Sequence, residues 1–222
     1  MSHIALPPQI EIDHDFHSYE PRLGHGLSHD PLASILGPRP IGWISTRSAA
    51  GHVNLAPYSF FNVFSYKPPI VAFSSVGWKD TIRNVRDSGE FVVNLATRAL
   101  AEQVNLSSAE LASTEDEFSF TGLDQLASQH LAAPRVRQSP VSLECKLTQL
   151  QQLAGLDGQK LETWMAFGEV VAVHIARSLL REGVYDTAAA RPILRGGGPA
   201  DYFEVTPQAL FHMFRPKPIP TR

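Results

Sequence analysis

The segment SSVGWKDTIRNV, residues 74–85, holds side chains suited to binding a small anion. Ser74 and Ser75 carry hydroxyl donors, Lys79 adds a positive charge, and the glycine between them permits close approach of the backbone to a ligand. The first turn of a following helix would add free N–H groups and the positive end of its dipole. The carboxylate of Asp80 would repel an anion, and we expect it to cap the helix and point away from the ligand. The alternative for this segment alone is a plain strand–turn–helix junction with an ordinary cap.

The segment does not match the common nucleotide-binding loops. The Gly-Lys-Ser/Thr tripeptide of a Walker A loop is missing, and the chain has no G-x-G-x-x-G motif. We therefore do not expect a dinucleotide held in a Rossmann unit.

A second polar cluster lies in RPIGWISTRSAAGHVNLAPYSFFN, residues 39–62. Ser45 and Thr46 alternate with apolar residues, and Pro57 interrupts the next extended segment. An irregular backbone of this kind leaves N–H and C=O groups free to bond the edge of a planar heterocycle. An aromatic-rich pair of strands in a core remains the alternative for this cluster.

The elements that must position these side chains are mostly extended. Six strands are predicted, at residues 41–46, 52–65, 68–76, 90–96, 140–153 and 160–176, the last two forming a long hairpin. Helices are predicted after Lys79, with Gly89 as the stop, and at residues 97–108 and 178–190; loops are predicted at 109–139 and 195–198. Few helices and consecutive strands favour a mainly β fold, an antiparallel barrel with short helices in its connections.

Composition bounds the class of protein. The chain has 222 residues, of which 43% are hydrophobic and 18% charged, as in a globular protein with a full core. We expect an N-terminal arm at residues 1–30 and one domain at 31–222. The net charge of −3 argues against a nucleic-acid partner, and no apolar run predicts a membrane span or a secretory signal. We expect a soluble cytoplasmic protein.

The arm and the single cysteine offer weaker signals. His14 and His17, like His25 and His29, have spacings that could bind a metal, but no element fixes their geometry, so a solvated arm is favoured and no metal site is predicted. Cys145 shares one face of an alternating strand with Leu143 and Leu147, which predicts a buried core thiol.

Several ordered motifs closely resemble the flavin reductase-like family of FMN-binding split-barrel proteins. They are PRPIGWISTRSAAGHVNLAPYSFFNVFSYKPPIVAFSS, KDTIRNVRDSGEFVVNL, SPVSLECKL and FGEVV, and they extend from about Pro38 to about Val173. The resemblance implies a six-stranded antiparallel split β-barrel, a homodimer, and FMN in a groove near the subunit interface.

The resemblance also implies the cofactor-binding residues. Ser45 and Thr46 would line the flavin site, and Ser74, Ser75, Lys79 and Thr81 would hold the 5′-phosphate of FMN. A continuous segment would follow the isoalloxazine ring and the ribityl chain: Asn54, Leu55, Ala56, Pro57, Tyr58 and Ser59.

The implied reaction is hydride transfer from NADH or NADPH to flavin, followed by electron transfer to a further acceptor, which could be a partner protein. Backbone N–H groups of residues 54–59 would stabilise the reduced flavin. No catalytic acid or base is assigned; His52, His130, His174 and His212 are candidates to lie near the flavin, and a structural role is favoured for His174, which lies within a predicted strand. An FMN-binding electron carrier without efficient NAD(P)H oxidation is the alternative, and a split barrel that binds haem or a deazaflavin is a third.

Overall fold

The computed structural model describes residues 15–112 and 114–216. The strands are β1 (Arg39–Pro40), β2 (Gly42–Arg47), β3 (Val53–Tyr58), β4 (Phe61–Tyr66), β5 (Pro69–Val76), β6 (Glu90–Leu95), β7 (Gln125–Leu126), β8 (Arg135–Val136), β9 (Val141–Ala154), β10 (Lys160–Ile175), β11 (Leu180–Arg181), β12 (Val184–Tyr185), β13 (Ile193–Gly197) and β14 (Asp201–Glu204). The helices are α1 (Leu32–Ile35), α2 (Asp80–Ser88), α3 (Ala101–Leu106) and α4 (Glu117–Thr121). Single 3₁₀ turns lie at Pro21–Leu23, Arg98–Leu100, Arg177–Leu179 and Pro207–Ala209.

One large sheet dominates the fold. Its strand order is β3-β2-β6-β9-β10-β5-β4, and every neighbouring pair is antiparallel. The long hairpin predicted from the alternating pattern is confirmed as β9 and β10. A smaller sheet of β1, β13 and β14 covers one end. The mainly β, antiparallel prediction is therefore confirmed.

The large sheet has seven strands rather than the predicted six. The single extended segment predicted at 52–65 divides into β3 and β4, which lie at opposite edges of the sheet although only Ser59 and Phe60 separate them. Because two residues join the two edges, the sheet must curl upon itself at this corner. Pro57 fits here, since an edge strand can accept a residue without an N–H group.

The core is built on both faces of β2. Trp43 and Ile44 are fully buried neighbours that point to opposite faces and belong to two separate apolar clusters. Helix α4 adds Phe118 to the Trp43 cluster, and α2 adds Ile82 and Val85 to the Ile44 cluster. The two helices thus lie over different parts of the core, with the edge strand β3 beside both.

Helix α2 ends as predicted at Gly89, whose φ of 69° is the left-handed conformation that glycine adopts readily. The capping role predicted for Asp80 is wrong: Lys79 occupies the N-cap position, and Asp80 is the first helical residue. The Asp80 side chain instead forms an ion pair with Arg83.

Other local predictions also need correction. The helix predicted at 178–190 is absent: a 3₁₀ turn at Arg177–Leu179 leads into the small hairpin of β11 and β12. Most of the glycine loop predicted at 195–198 continues β13, and the loop predicted at 109–139 contains α4, β7 and β8. In the described part of the chain, no helix has the length and apolar character needed to cross a membrane.

Candidate functional site

A cavity of about 370 Å³ lies beside the edge strand β3, within the size range of small-molecule sites. Three segments form its wall: β3, the start of α2, and the connection between α3 and α4. Six of the predicted cofactor residues line it, namely Asn54, Ala56, Pro57, Tyr58, Lys79 and Thr81. The other lining residues are Asp80, Ser107, Ser108, Ala109, Glu110, Leu111 and Glu117.

Asn54 and Thr81 fix β3 against the first turn of α2. The Asn54 amide nitrogen donates to the Thr81 hydroxyl oxygen at 2.8 Å, and both residues are more than nine-tenths buried. The Thr81 hydroxyl remains able to donate its own proton. This hydrogen bond sets the relative position of the two main walls of the cavity.

Tyr58 contributes a polar group that the protein itself leaves without a partner. Its hydroxyl oxygen is buried and has no hydrogen bond in the described part of the chain, although its residue is only 8% exposed and lines the cavity. Burial raises the pKa of Tyr58. The Thr81 and Ser75 hydroxyls lie near enough to offset part of this rise although neither has hydrogen-bond geometry toward the phenol, and Glu117 adds to the rise. The phenol is therefore a neutral donor, and a buried donor without an acceptor is costly unless a ligand or water supplies one.

The positive side of the cavity lies at the start of α2. Lys79 is exposed at the cavity wall and immediately precedes the free N–H groups of the first helical turn. Asp80 would oppose an anion, but the guanidinium of Arg83 neutralises it. The arrangement can hold one anionic group next to Lys79.

Glu117, the first residue of α4, closes the opposite wall. Its Oε2 accepts a hydrogen bond from the backbone N–H of Leu55 at 3.2 Å. Burial raises the pKa of the half-buried Glu117, its own N–H and that of Leu55 lower it, and the charges of Asp116 and Glu115 raise it further. The net effect favours the protonated form of Glu117 more than in an exposed glutamate.

The Leu55 contact changes the expected role of the β3 backbone. The N–H of Leu55 points away from β2 toward Glu117, so Pro57, two residues on, faces the same way but has no N–H. Two of the backbone positions expected to donate to a flavin are thus unavailable. A ligand beside this part of β3 meets side chains, chiefly Glu117 and Tyr58.

A second cavity of about 260 Å³ adjoins the first and shares Asn54, Asp80 and Glu117 with it. Its other lining residues are Ser48, His52, Val53, Arg83, Asn84, Thr114 and Glu115. The two cavities form one groove along β3, which we call the β3 groove.

The structure does not bring the remaining predicted residues to the β3 groove. Ser45 is fully buried, and its hydroxyl donates to the backbone oxygen of Pro134; Thr46 is fully buried and accepts from Asn84 at 3.0 Å. The Leu55 side chain belongs to the core.

The two serines that open the predicted anion site also lie outside the groove lining. The Ser75 hydroxyl donates to the Gly77 oxygen at 3.0 Å, and the backbone N–H of Ser74 donates to Phe60. Ser59 lies in the half-buried corner between β3 and β4. Of the four residues predicted to hold an anion, only Lys79 and Thr81 line the groove.

The sequence patterns did not indicate the lining residues from the α3–α4 connection, such as Ser107, or Glu117 at the start of α4. One local signal predicts the start of α4. Asp116 is a common N-cap residue type, and its Oδ1 accepts a hydrogen bond from the Phe118 N–H at 2.8 Å. Nothing local indicates that this helix packs beside β3.

The candidate histidines have different surroundings. His174 contacts the Glu144 carboxylate at 2.7 Å away from the β3 groove, which fits the structural role favoured for it, and His52 lines the smaller cavity. His17 contacts the His25 backbone oxygen at 2.7 Å; His14 lies outside the described residues. Within residues 15–112 and 114–216, no cluster of three metal-ligating side chains occurs.

Comparison with known proteins identifies the family of this chain. Residues 36–193 match the family described as the flavin reductase like domain. The chain belongs to the flavin reductase like family. An uncharacterised protein of Halalkalibacterium halodurans is 38% identical to this flavin reductase-like protein over 173 residues, which cover 75% of this chain and 82% of the relative.

Solved structures agree with this placement. The 2-nitrobenzoate 2-nitroreductase NbaA of Pseudomonas fluorescens is 28% identical, with a TM-score of 0.74 and coverage of 86% of this chain and 91% of that chain. Nitrilotriacetate monooxygenase component B of Bacillus cereus is 26% identical, with a TM-score of 0.74 and coverage of 95% and 100%. The flavin reductase-like protein shares its fold with both.

Proposed function

We propose that this protein is an FMN-binding oxidoreductase that oxidises NADH or NADPH and passes the electrons through flavin to a further acceptor. Membership of a flavin-binding family supports the flavin. One observation supports FMN as the flavin. Lys79, Thr81 and the start of α2 line one wall of a cavity, and β3 lines the other wall. This arrangement suits a cofactor with one terminal phosphate.

The groups present fit such a cofactor. Lys79 would form a charge-assisted contact with the phosphate, and the Thr81 and Tyr58 hydroxyls would donate to the phosphate or the ribityl chain. The unpartnered Tyr58 hydroxyl is the strongest sign of fit, because a ligand acceptor would satisfy it. Haem has no phosphate, the group that suits Lys79 and the start of α2.

When bound, the flavin supplies the two-electron chemistry, and the protein supplies position and electrostatics. Asn54 would hold Thr81 in place for the cofactor, and α4 would exclude water from one side of the groove. The Leu55 and Pro57 backbone offers no free N–H to the reduced ring, so the Tyr58 hydroxyl would be the neutral donor on this side, joined by Glu117 where its carboxyl carries a proton.

A homodimer belongs to the same proposal. The edge strand β4 exposes Val63, Phe64 and Tyr66, and Phe60 beside it is half exposed. An apolar row of this kind on an edge strand is typical of a surface that another chain covers. Light scattering of the purified protein should give twice the mass of one chain.

The deciding experiment is an anaerobic visible spectrum of the purified protein, taken before and after addition of NADH and then of NADPH. Flavin bands that bleach with one of the two donors support the proposal and give the donor preference. Bound flavin that stays oxidised with both donors favours an electron carrier reduced by another protein. A protein that takes up no added FMN contradicts the FMN assignment.

A further inference from the structure

Glu117, which lines the larger cavity, accepts a hydrogen bond from a backbone N–H of β3 that points away from β2. Its Oε2 accepts from the Leu55 N–H at 3.2 Å, and Pro57 has no N–H to offer. The residue lines both cavities of the β3 groove. Any ligand that extends along the groove therefore passes the Glu117 carboxyl group.

The second oxygen of Glu117 has no partner from another residue in the described part of the chain, where only Oε2 forms a hydrogen bond with Leu55. The Tyr58 hydroxyl in the same cavity is also without a partner and more than nine-tenths buried. Two polar side chains that line the same cavity from opposite walls thus have hydrogen-bonding capacity that other residues of the described chain do not use. A buried hydroxyl such as that of Tyr58 normally bonds a ligand or an ordered water, and the half-buried Glu117 oxygen is open to the same ligand.

The charges around Glu117 oppose its ionisation. Glu115 and Asp116 precede it on its own segment. The elements that face Glu117 carry charges of both signs. Their titratable groups are Asp80, Lys79 and Arg83 on and before α2, Tyr58 on β3, His52 before β3, and Glu110 before α4. Arg83 is engaged by Asp80, and Lys79 is exposed and close to the start of α2. Burial and the adjacent carboxylates raise the pKa of Glu117.

We propose that Glu117 binds flavin in its protonated form, accepting from the Leu55 N–H with one oxygen and donating a proton to an acceptor atom of the flavin with the other. This inference rests on the proposed function. Flavin binding then requires one proton on Glu117. No covalent bond forms or breaks at Glu117, and the proton comes from solvent whenever Glu117 is ionised in the free protein.

The consequence is a pH-dependent affinity. Below the Glu117 pKa of the free protein the carboxyl already carries its proton, and affinity is maximal. As pH rises through that pKa, binding must take up a proton, and affinity falls by up to about tenfold per pH unit. Because burial raises this pKa, the fall begins above the ordinary glutamate value of about 4.3.

Riboflavin is the cleaner probe because it lacks the phosphate, whose second ionisation near pH 6 would add a trend of its own. We expect its dissociation constant, measured by fluorescence quenching between about pH 5 and pH 8, to rise with pH for the wild-type protein. Glu117→Gln keeps an acceptor for Leu55 and a permanent donor, so its affinity should stay near the wild-type maximum at every pH. Glu102→Gln, on the exposed face of α3, removes one carboxylate elsewhere and should follow the wild type.

A pH dependence that persists unchanged in Glu117→Gln overturns the inference and leaves the proposed function intact, because flavin still binds. Failure of the wild-type protein to bind riboflavin or FMN at any pH overturns both. Calorimetry of the wild-type protein gives a test that needs no variant: titration of riboflavin in two buffers of different ionisation enthalpy should show net proton uptake at the higher pH. Absence of uptake across the whole range overturns the inference.

Discussion

The Asn54 amide and the Thr81 hydroxyl, joined at 2.8 Å, couple the edge strand β3 to the first turn of α2. Both side chains are buried at the wall of the larger cavity. This hydrogen bond stabilises the contact between strand and helix, and in the proposed function it also places Thr81 for the cofactor.

Thr81→Val removes this hydroxyl with little change in shape and leaves the buried Asn54 amide without its acceptor. We expect a loss of about 1–3 kcal/mol in the free energy of unfolding, measured with urea on the flavin-free protein, together with weaker FMN binding. Thr187→Val, on an exposed loop residue, is the matched control and should change neither quantity. Unchanged stability in Thr81→Val would show that the bond contributes nothing.

Lys79→Ala tests the phosphate contact. Loss of a charge-assisted hydrogen bond should weaken FMN binding by about 1.5–3 kcal/mol, or about 10- to 150-fold, whereas riboflavin binding should change little. Lys79→Arg should retain most of the FMN affinity. Lys160→Ala, an exposed lysine at the start of β10, is the control for loss of surface charge. Equal losses for FMN and riboflavin would place Lys79 away from the phosphate.

Local sequence patterns predicted most of the strands because each pattern reflects the strand's own burial. The alternation in β9 and β10 is an example: Leu143, Cys145 and Leu147 all pack in one core cluster, as predicted. The division of residues 52–65 into β3 and β4 could not be predicted in this way. This division depends on long-range pairing. β3 pairs with β2 at one edge of the sheet, and β4 pairs with β5 at the other edge.

The site was predictable in part for the same reason. Lys79 and Thr81 follow β5 directly, so their position at the start of a helix could be inferred from adjacent residues. Ser45 and Thr46 were expected at the site, but β2 is buried on both faces. Their hydroxyls instead form hydrogen bonds with Pro134 and Asn84, which are distant in sequence. Glu117 reaches β3 only through tertiary packing of α4, which no local pattern encodes.

Cys145 offers a test of the distinction between a structural and a reactive thiol. It is fully buried, and burial, with a further contribution from Glu144, raises the pKa of its thiol. We expect the native protein to resist alkylation, while urea-unfolded protein reacts at once. Cys145→Ser should keep the rate of flavin reduction and lose about 1–3 kcal/mol of stability, because a hydroxyl enters an apolar site. Loss of turnover with the fold preserved would reverse the structural assignment.

The surroundings of Glu144 predict how the stability of the protein changes in acid. Its fully buried carboxylate accepts from the Gln129 and His130 N–H groups at 2.7 and 2.8 Å and contacts His174 at 2.7 Å. Burial alone would raise the pKa of Glu144, but these partners together hold it below its ordinary value. The ionised Glu144 carboxylate on β9 therefore holds the 127–134 connection through Gln129 and His130, and contacts β10 through His174.

A carboxyl group whose pKa is lower in the folded state stabilises the protein above its unfolded pKa, and this contribution is lost as pH falls through the folded value. Wild-type stability should accordingly decrease as pH falls below about 4.3. Glu144→Gln should lose about 1–3 kcal/mol at neutral pH, because an amide oxygen cannot replace both carboxylate oxygens, and should show a weaker further loss in acid. Urea denaturation at neutral and acidic pH measures both effects, with exposed Glu162→Gln as the control. If Glu144→Gln and the wild-type protein lose stability in parallel as pH falls, the acid sensitivity arises from other carboxyl groups.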